Sequence, residues 1–512
     1  ASNGLVPGKA ATLADAIRAY NVNSGSKLSF IEPRGLVNTG NMCYMNSILQ
    51  ILVFCVPFYD FLDQIGKRAA HSFKSDTPLL DAMIMFMREF PVIDSAVSVE
   101  QLRMRLKDNE LEQYGEAFIP EYVYDVIKRL PRFSSMRRGH QQDAEEFLGF
   151  LLEGLHDECT HVLRALPSIA PEVNEATSPT SERSVAGSAD GGWMEVGPKQ
   201  KASITRSSGH VVSDSPITKI FGGNLRSELR VPGLKNSVTL EPYQPLQLDI
   251  GAPNVHNITD ALKGLTRSET LQGDFNSPRG PGTSATKQVF IETLPPVLIL
   301  HLKRFQYDNA GGTQKIWKRV GYPLELELPK EVFPPNKRNN LSMRGGLPRY
   351  RLTGVVYHHG KNAGGGHYTV DVRRQEGREW IRLDDTVIRR VRSDEVAEGG
   401  AEEDPKVLAA ALENHKQDIQ SGNIFDRFDE EDGEKEEDGQ GWSQVNGTQM
   451  TPTGTAGKKW SGVVNGTNTG TATPSTKGER TPKGKEFKAD RVAYILIYSQ
   501  IKAQPTSAPL SS

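Results

Sequence analysis

The sequence predicts an α+β fold, in which helices come first along the chain and strands follow. Between Gly35 and about residue 165, apolar residues recur at the spacing of one helical face. From about residue 215, short apolar runs and apolar–polar alternation replace this pattern, and both are typical of strands. We therefore expect a helical first part and a largely antiparallel sheet after it.

The helix that follows the polar stretch NTGN carries the first candidate for chemistry. Its apolar face ends at Pro57 and consists of Met45, Ile48, Leu49, Leu52 and Val56. Cys43 falls in the first turn, where the positive end of the helix dipole favours the thiolate, the form of cysteine that attacks carbonyl carbon. Because a free cysteine is usually a small buried apolar residue, this stretch alone leaves both interpretations open.

A nucleophilic cysteine needs a histidine base and a group that orients the histidine. His367 follows three glycines and opens an alternating strand, and Asp384 and Asp385 come after the next short strand. His358 and His359 are alternative bases, but they end a strand rather than open one. Chemistry alone does not distinguish Asp384 from Asp385 as the orienting group.

The run PPVLILHLKRF, from Pro295 to Phe305, is continuously apolar with a basic end. Such a run is typical of a strand that is covered on both faces. His301 lies inside it, and we expect a core histidine with satisfied hydrogen bonds rather than a second base.

Five stretches of the chain together resemble one enzyme family. They are NTGNMCYMNSILQ, RRGHQQDAEEFLGFLL, PPVLILHLKRF, GGGHYTV and WIRLDDTVI. In this combination the chain resembles the ubiquitin-specific protease family of deubiquitinating cysteine proteases, from Arg34 to about Ser499 with two breaks. IFGGNLRSEL and LEPYQPLQLDI most resemble the stress-response branch of that family, the ubiquitin-specific protease ten branch, which has a yeast counterpart. The resemblance implies a papain-like cysteine protease with a helical thumb, a β-sheet palm and β fingers.

Composition and the resemblance together set the expected domain boundaries. Two segments contain few apolar residues, too few to bury a core, so we expect disordered insertions there. The expected parts are a lead-in at 1–30, a catalytic domain at 31–500, its thumb at about 31–165, a disordered insertion at 166–214, fingers and palm at about 215–395, an acidic and then Gly/Thr-rich disordered insertion at 397–487, a final palm strand at 489–499 and a tail at 501–512.

The resemblance also implies roles for individual residues. Cys43 corresponds to the nucleophile and His367 to the base that takes the thiol proton and later protonates the leaving amine. Asp384 corresponds to the residue that orients His367, because the family motif uses the first aspartate. Asn38 corresponds to the donor that, with the Cys43 backbone N–H, stabilises the oxyanion.

A second set of residues is expected to bind the substrate. Asp143 and Glu146 share the side of their helix opposite the buried stripe, where most acidic pairs are merely solvated. The resemblance implies that they bind the basic, glycine-ended tail of ubiquitin. Gly365, Gly366 and Tyr368 are expected to line a narrow channel that admits Gly-Gly.

Composition excludes several other functions. A net charge of −2 and a pI near 6.7 give no support for nucleic-acid binding. Three cysteines cannot form a disulfide framework, which favours a reducing compartment. The sequence shows no signal peptide or long apolar span, so we expect a soluble protein that binds no membrane. We also expect a monomer with a cytoplasmic location, and a nuclear location stays open.

No metal or other cofactor is expected. Many members of the family hold a structural zinc in the fingers with two Cys-x-x-Cys pairs. Val231 and Leu234 stand about where the first pair would be, and no cysteine follows Cys159. We therefore expect fingers that are stabilised by packing alone.

Three functions remain open from the sequence. The first is hydrolysis of the peptide or isopeptide bond after the C-terminal Gly-Gly of ubiquitin, with ubiquitin and ubiquitinated proteins as partners. The second is an inactive ubiquitin-binding scaffold, which the presence of all three catalytic residue types disfavours. The third is a protease for another ubiquitin-like modifier. In the stress-response branch a scaffold partner is expected to bind upstream of the catalytic domain.

Overall fold

The structure, a computed structural model, describes most of the sequence from the first helix to the final strand. The described residues are 12–22, 27–68, 76–136, 141–165, 194–195, 204–207, 214–280, 282–307, 313–343, 346–360, 365–398 and 491–501. All of them belong to one unit, formed by Ala1–His415 with Asp490–Ser512. A second unit, Lys416–Ala489, lies outside the described residues.

Within the described residues there are twelve α-helices. They are α1 (Leu13–Ala19), α2 (Cys43–Val53), α3 (Val56–Arg68), α4 (Pro78–Arg88), α5 (Val99–Arg105), α6 (Asp108–Leu111), α7 (Glu121–Arg129), α8 (Ala144–Ala165), α9 (Pro216–Phe221), α10 (Ile258–Leu265), α11 (Pro335–Met343) and α12 (Ser393–Val396). None of these helices alone is long and apolar enough to cross a membrane, and α2 and α3 meet that test only as a pair that is bent by 81°.

The same residues form twenty strands. They are β1 (Leu28–Ile31), β2 (Arg34–Leu36), β3 (Val92–Ala96), β4 (Gly115–Phe118), β5 (Met194–Glu195), β6 (Ile204–Ser207), β7 (Gly223–Arg230), β8 (Ser237–Tyr243), β9 (Pro245–Asp249), β10 (Glu269–Leu271), β11 (Ala285–Thr293), β12 (Val297–Lys303), β13 (Phe305–Tyr307), β14 (Thr313–Lys315), β15 (Glu325–Glu327), β16 (Arg349–His359), β17 (His367–Arg373), β18 (Trp380–Asp384), β19 (Val387–Val391) and β20 (Val492–Gln500). Three pairs, β1–β3, β2–β4 and β13–β14, stand apart from the two larger sheets.

An eight-stranded sheet, which we call the palm sheet, carries the second half of the fold. Its order is β19-β18-β17-β16-β20-β12-β9, and β15 pairs with β16 off this path. β20 pairs antiparallel with both β16 and β12, so the last strand of the chain lies in the middle of the sheet. It spans Val492–Gln500, close to the 489–499 predicted from the sequence. The residues between β19 and β20 are therefore inserted within one domain.

α2 is buried along its whole length between the palm sheet and the other helices. A Cβ at Gly354 on β16 would lie 2.6 Å from Ile51 Cδ1, so glycine at this position allows the helix to approach the sheet. The prediction that this helix continues to Pro57 is wrong, because α2 ends at Val53. Pro57 instead lies in the first turn of α3, where its missing N–H costs no helical hydrogen bond.

α8 has the buried stripe that the sequence predicts. The stripe consists of Ala144, Phe147, Leu148, Leu151, Leu152, Leu155 and Cys159. The helix begins at Ala144, because Asp143 caps it. Asp143 Oδ1 accepts the Glu145 backbone N–H at 2.7 Å, and the Asp143 carbonyl accepts the Phe147 N–H at 3.1 Å.

A six-stranded sheet, the finger sheet, has the order β10-β11-β7-β8-β6-β5. Its last two strands, β5 and β6, lie within segment 166–214, and β6 pairs in parallel with β8. The expectation that this whole segment is disordered is therefore wrong for the residues of these two strands. Apart from them and Asp214, segment 166–214 lies outside the described residues, as do residues 399–487 of the second predicted insertion.

A buried ion pair joins the strands that lead to the predicted active site. The Arg382 guanidinium on β18 donates two hydrogen bonds, of 2.6 and 2.7 Å, to the Asp371 carboxylate on β17. Asp371 is fully buried, and Arg491, just before β20, lies 3.7 Å from its second oxygen. Burial raises the pKa of Asp371, but the Arg382 charge and hydrogen bonds outweigh it and lower the pKa below its ordinary value.

We expect Asp371→Asn to lower the free energy of unfolding by about 3–5 kcal/mol, because it leaves the Arg382 guanidinium buried without a carboxylate. Urea denaturation would measure the change. Asp63→Asn is the matched control, since the Asp63 carboxylate pairs with Lys67 at the surface and its loss should cost less than about 1 kcal/mol. Equal losses in the two variants would contradict this account.

Candidate active site

The palm sheet and α2 bring the three predicted catalytic residues together. His367 is the first residue of β17, and Asp384 is the last residue of β18, the antiparallel neighbour of β17. Cys43 is the first residue of α2, which packs against β17. The start of α2, the start of β17 and the end of β18 thus meet at one place, although α2 is far from both strands in the chain.

His367 lies between Asp384 and Cys43. Its Nε2 is 2.6 Å from Asp384 Oδ1, and the side chain of Cys43 is close enough to interact with the imidazole. Burial lowers the pKa of His367, but the hydrogen bonds and charges of Asp384 and Cys43 outweigh it and raise this pKa to about 10. Burial raises the pKa of Asp384, yet its bond to His367 holds this pKa below the ordinary value. The arrangement favours the imidazolium form of His367.

Asp385 is the neighbour of Asp384 but has different partners. Its backbone φ is 47°, so the chain turns there and the two carboxylates diverge. Asp385 Oδ2 accepts a hydrogen bond from Asn38 Nδ2 at 3.1 Å, and Oδ1 accepts one from Asn46 Nδ2 at 3.3 Å. Asn38 Oδ1 in turn accepts the Met42 backbone N–H at 2.8 Å. Asp385 therefore orients Asn38 and leaves His367 to Asp384.

The glycine turn before His367 is needed for its backbone geometry. Gly366 has a φ of +122°, and a Cβ there would lie 2.0 Å from the His359 carbonyl oxygen. Its own carbonyl accepts a hydrogen bond from Gln141 Nε2 at 2.5 Å. Gly365 has open space around it, whereas Gly364 lies outside the described residues. The turn thus leaves room for a chain that approaches His367.

Comparison with known proteins decides the family. A family model described as ubiquitin carboxyl-terminal hydrolase matches residues 34–412. The chain belongs to the ubiquitin carboxyl-terminal hydrolase family. This confirms the family predicted from the sequence, its α+β fold and its enzyme class, a cysteine-type deubiquitinating peptidase.

Curated relatives agree with the family match. The chain is 43% identical to probable ubiquitin carboxyl-terminal hydrolase 3 of Schizosaccharomyces pombe over 74% of this chain and 71% of that protein. It is 36% identical to ubiquitin carboxyl-terminal hydrolase 10 of Gallus gallus over 75% of this chain but only 49% of the relative. Among solved structures, the SAGA Ubp8/Sgf11/Sus1/Sgf73 DUB module bound to ubiquitin aldehyde has a TM-score of 0.49 and 21% identity, covering 71% of this chain and 67% of that one.

The other candidate bases in this hydrolase are bonded elsewhere. His358 Nδ1 lies 2.7 Å from Lys315 Nζ, and His359 Nε2 lies 2.9 Å from Thr369 Oγ1. Burial lowers the pKa of both imidazoles to about 3. Neither side chain competes with His367 for the thiol.

His301 is in the core, as predicted, but it is not satisfied. It is 7% exposed, and neither ring nitrogen has a hydrogen-bond partner among the described residues. The prediction of satisfied hydrogen bonds is therefore wrong. No sequence pattern reveals this, because the neighbours of His301 belong to other elements.

The predicted tail-binding residues of this family member differ in accessibility. Glu146 is exposed, whereas Asp143 is largely enclosed and accepts a 2.6 Å hydrogen bond from the Tyr494 hydroxyl. Burial raises the pKa of Asp143. Tyr368 is 1% exposed, and its hydroxyl oxygen lies 3.5 Å from the Ala144 backbone N. Tyr368 is thus buried in this conformation, and its role in tail binding stays a prediction.

Two places correspond to possible metal sites, the catalytic group and the fingers. Among the described residues, His367, Asp384 and Asp385 form a His/Cys/Asp/Glu group of ligand spacing, but their donor atoms already bind one another, Asn38 and Asn46. In the fingers, Val231 and Leu234 lie in the turn between β7 and β8 and offer no side-chain ligand atom. These residues do not fit a zinc ion.

We expect Asp384→Asn to lower the pKa of His367. The substitution removes the carboxylate charge that raises this pKa, while burial, which lowers the pKa, remains. Titration of the His367 ring protons by NMR would measure this pKa. Asp385→Asn is the comparison, and it should lower the His367 pKa less, because the Asp385 carboxylate acts on His367 through its charge alone and holds Asn38 by hydrogen bond. The assignment of the two aspartates would be wrong if Asp385→Asn produced the larger shift.

Proposed function

We propose that this protein hydrolyses the peptide or isopeptide bond after the C-terminal Gly-Gly of ubiquitin, with Cys43 as the nucleophile. The observation that supports this best is the position of His367, whose imidazole interacts with Cys43 and lies 2.6 Å from Asp384. Cys43 is the first residue of α2 and therefore lies at a helix N-terminus.

The reaction needs two proton transfers by His367. Because Nε2 is engaged by Asp384, Nδ1 is the nitrogen that takes the thiol proton. Cys43 Sγ then attacks the carbonyl carbon of the last glycine, and His367 delivers the proton to the leaving amine as the C–N bond breaks. Water, deprotonated by His367, hydrolyses the remaining thioester and releases the free carboxylate and the thiol.

Asn38 is proposed to stabilise the oxyanion of each tetrahedral intermediate. Its amide has two N–H donors, and only one is required by the bond to Asp385. The backbone N–H of Cys43 is the natural second donor, since N–H groups in the first turn of a helix have no acceptor within the helix. Asp385 and the Met42 N–H fix the amide in advance, so little reorganisation is needed during the reaction.

Substrate recognition is proposed to involve the glycine turn and the acidic start of α8. Gly365 and Gly366 leave space for a narrow, unbranched tail beside His367. Glu146 and its neighbours place negative charge near that path, which suits the basic tail of ubiquitin. An inactive scaffold would not need an aligned Cys43 and His367. Binding of a scaffold partner, a monomeric state and a cytoplasmic location stay predictions from the sequence.

Ubiquitin that carries a C-terminal thiol-reactive group tests this proposal. We expect intact mass spectrometry to show one ubiquitin added to the wild-type protein and none to Cys43→Ala. Cys55→Ala is the matched control, because Cys55 is also buried and should leave the adduct unchanged. Binding without an adduct would support the scaffold function, and an adduct only with another modifier would contradict ubiquitin as the substrate.

We expect Asn38→Ala to lower kcat by about 10²–10³-fold with little change in KM, because the oxyanion donor acts in the transition state. Steady-state cleavage of a fluorogenic ubiquitin amide would measure both constants. Asn339→Ala, at an exposed position of α11, is the control. A change in KM alone would indicate that Asn38 binds the substrate and not the transition state.

A further inference from the structure

A line of hydrogen bonds leads from helix α7 to Asn38, the proposed oxyanion donor. The Tyr124 hydroxyl donates to Asn46 Oδ1 at 2.5 Å, and Asn46 Nδ2 donates to Asp385 Oδ1 at 3.3 Å. The other oxygen of Asp385 accepts the 3.1 Å hydrogen bond from Asn38 Nδ2. Tyr124 and Asn46 are each 1% exposed and Asp385 is 5% exposed, so solvent has little access to these bonds.

The Asp385 carboxylate sets the direction of each hydrogen bond in this line. An ionised carboxylate only accepts hydrogen bonds, so both asparagines turn their NH₂ groups toward it. The Asn46 oxygen then faces Tyr124, whose hydroxyl donates to it. The Asn38 oxygen faces the Met42 backbone N–H, which donates to it at 2.8 Å. Each amide therefore has one favoured orientation, because a rotation by 180° would place its oxygen against the carboxylate.

The backbone places Tyr124 beside the loop that carries Asn38. β4 pairs in parallel with β2, and just beyond this pair the Val37 N–H donates to the Phe118 carbonyl at 3.0 Å. Asn38 follows Val37, and α7 begins at Glu121, three residues after Phe118. One strand pair thus fixes the backbone at both ends of the line of hydrogen bonds.

Asn46 is a polar side chain within the otherwise largely apolar α2, one turn after Cys43. Residues three apart in a helix lie on the same face, so Asn46 is on the side of α2 where the site is built. Burial of an amide group costs free energy unless its hydrogen bonds are made. This cost is offset only while Tyr124 and Asp385 both bind the amide.

The bond from Asn46 limits the positions that the Asp385 carboxylate can take. Burial raises the pKa of Asp385, and the His367 charge and the hydrogen bonds from Asn38 and Asn46 oppose this rise. A carboxylate that is held at one oxygen only can rotate about its Cβ–Cγ bond, and the Asn38 amide would follow it. With both oxygens bound, the carboxylate holds Asn38 in one place.

We propose that Tyr124 and Asn46 are positioning residues for the oxyanion donor. The Tyr124 hydroxyl acts through Asn46 and Asp385 and holds the Asn38 amide where the tetrahedral oxygen forms. This inference rests on the proposed function, in which Asn38 donates to that oxygen. Both positioning side chains are buried, so they act without contact to the substrate. Because donors that are oriented in advance need no reorganisation as charge develops, the effect belongs to the transition state.

The test is Tyr124→Phe, which removes the hydroxyl and keeps the ring. We expect kcat for a fluorogenic ubiquitin amide to fall about tenfold with KM nearly unchanged, as for the loss of one buried hydrogen bond that acts in the transition state. In an Asn38→Ala background the same substitution should have no further effect on kcat, because the donor that it positions is absent. A merely structural role would lower kcat by the same factor in both backgrounds.

Ubiquitin with a C-terminal aldehyde gives a second readout, because its adduct with Cys43 carries the tetrahedral oxygen. Tyr124→Phe should weaken inhibition by this aldehyde about tenfold. The affinity of unmodified ubiquitin for Cys43→Ala should be the same with and without Tyr124→Phe. A loss of that affinity as large as the loss of inhibition would show that Tyr124 supports substrate binding, and this would overturn the inference.

Tyr350→Phe is the matched control. Tyr350 is fully buried in β16, and its hydroxyl donates to the Pro295 carbonyl at 2.6 Å, outside the line from Tyr124 to Asn38. It should lower the free energy of unfolding in urea about as much as Tyr124→Phe does, and it should leave kcat unchanged. Asn46→Leu breaks the line at its next member and should show the same dependence on Asn38, so it serves if Tyr124→Phe does not fold.

The outcomes separate this inference from the proposed function. An unchanged kcat in Tyr124→Phe, an equal loss of kcat in Tyr350→Phe, or an equal loss in the Asn38→Ala background would overturn the inference alone, provided that the wild type cleaves ubiquitin. A wild type that does not cleave ubiquitin would overturn the proposed function and this inference with it.

Discussion

The rest of the site depends on the packing of α2 into the space between the palm sheet and the other helices. All residues of α2 are buried, so the helix has little freedom to shift along or about its axis. Gly354 lets it approach β16, and its N-terminus then meets the start of β17. The Cys43 thiol is thus positioned by a core element.

Two adjacent carboxylates orient different residues of the site. Asp384 remains in β18 and binds His367, whereas the positive φ of Asp385 directs its side chain to Asn38 and Asn46. One short segment therefore fixes both the base and the proposed oxyanion donor. The buried Asp371–Arg382 pair holds the two strands on which this segment depends.

Local patterns were enough to predict much of the fold, whereas the roles of the central site residues were predicted from the family resemblance. The stripe of α8 and the alternation that begins at His367 are properties of neighbouring residues, so the sequence contains them. Other features depend on individual hydrogen bonds and on strand pairing, which leave little periodic signal in the sequence. They are the break between α2 and α3, the cap by Asp143 and the short strands β5 and β6.

The parts of the site that could not be predicted join distant positions. Asn38 and Asp385 are 347 residues apart, and their hydrogen bond is what distinguishes the two aspartates. The unpaired state of His301 similarly depends on α8 and β9, which flank its strand in space but not in the chain. The burial of Tyr368 was likewise not predicted, because a family motif implies contact with substrate but does not report burial.

A crystal structure of the protein joined to ubiquitin through a C-terminal aldehyde would test the central claim most directly. Attack on the aldehyde gives a tetrahedral thiohemiacetal whose oxygen mimics the oxyanion. The account predicts a bond from Cys43 Sγ to that carbon, with the oxygen in hydrogen-bond distance of Asn38 Nδ2 and with Asp385 still bound to Asn38. An adduct on another residue, or an oxygen directed away from Asn38, would contradict it.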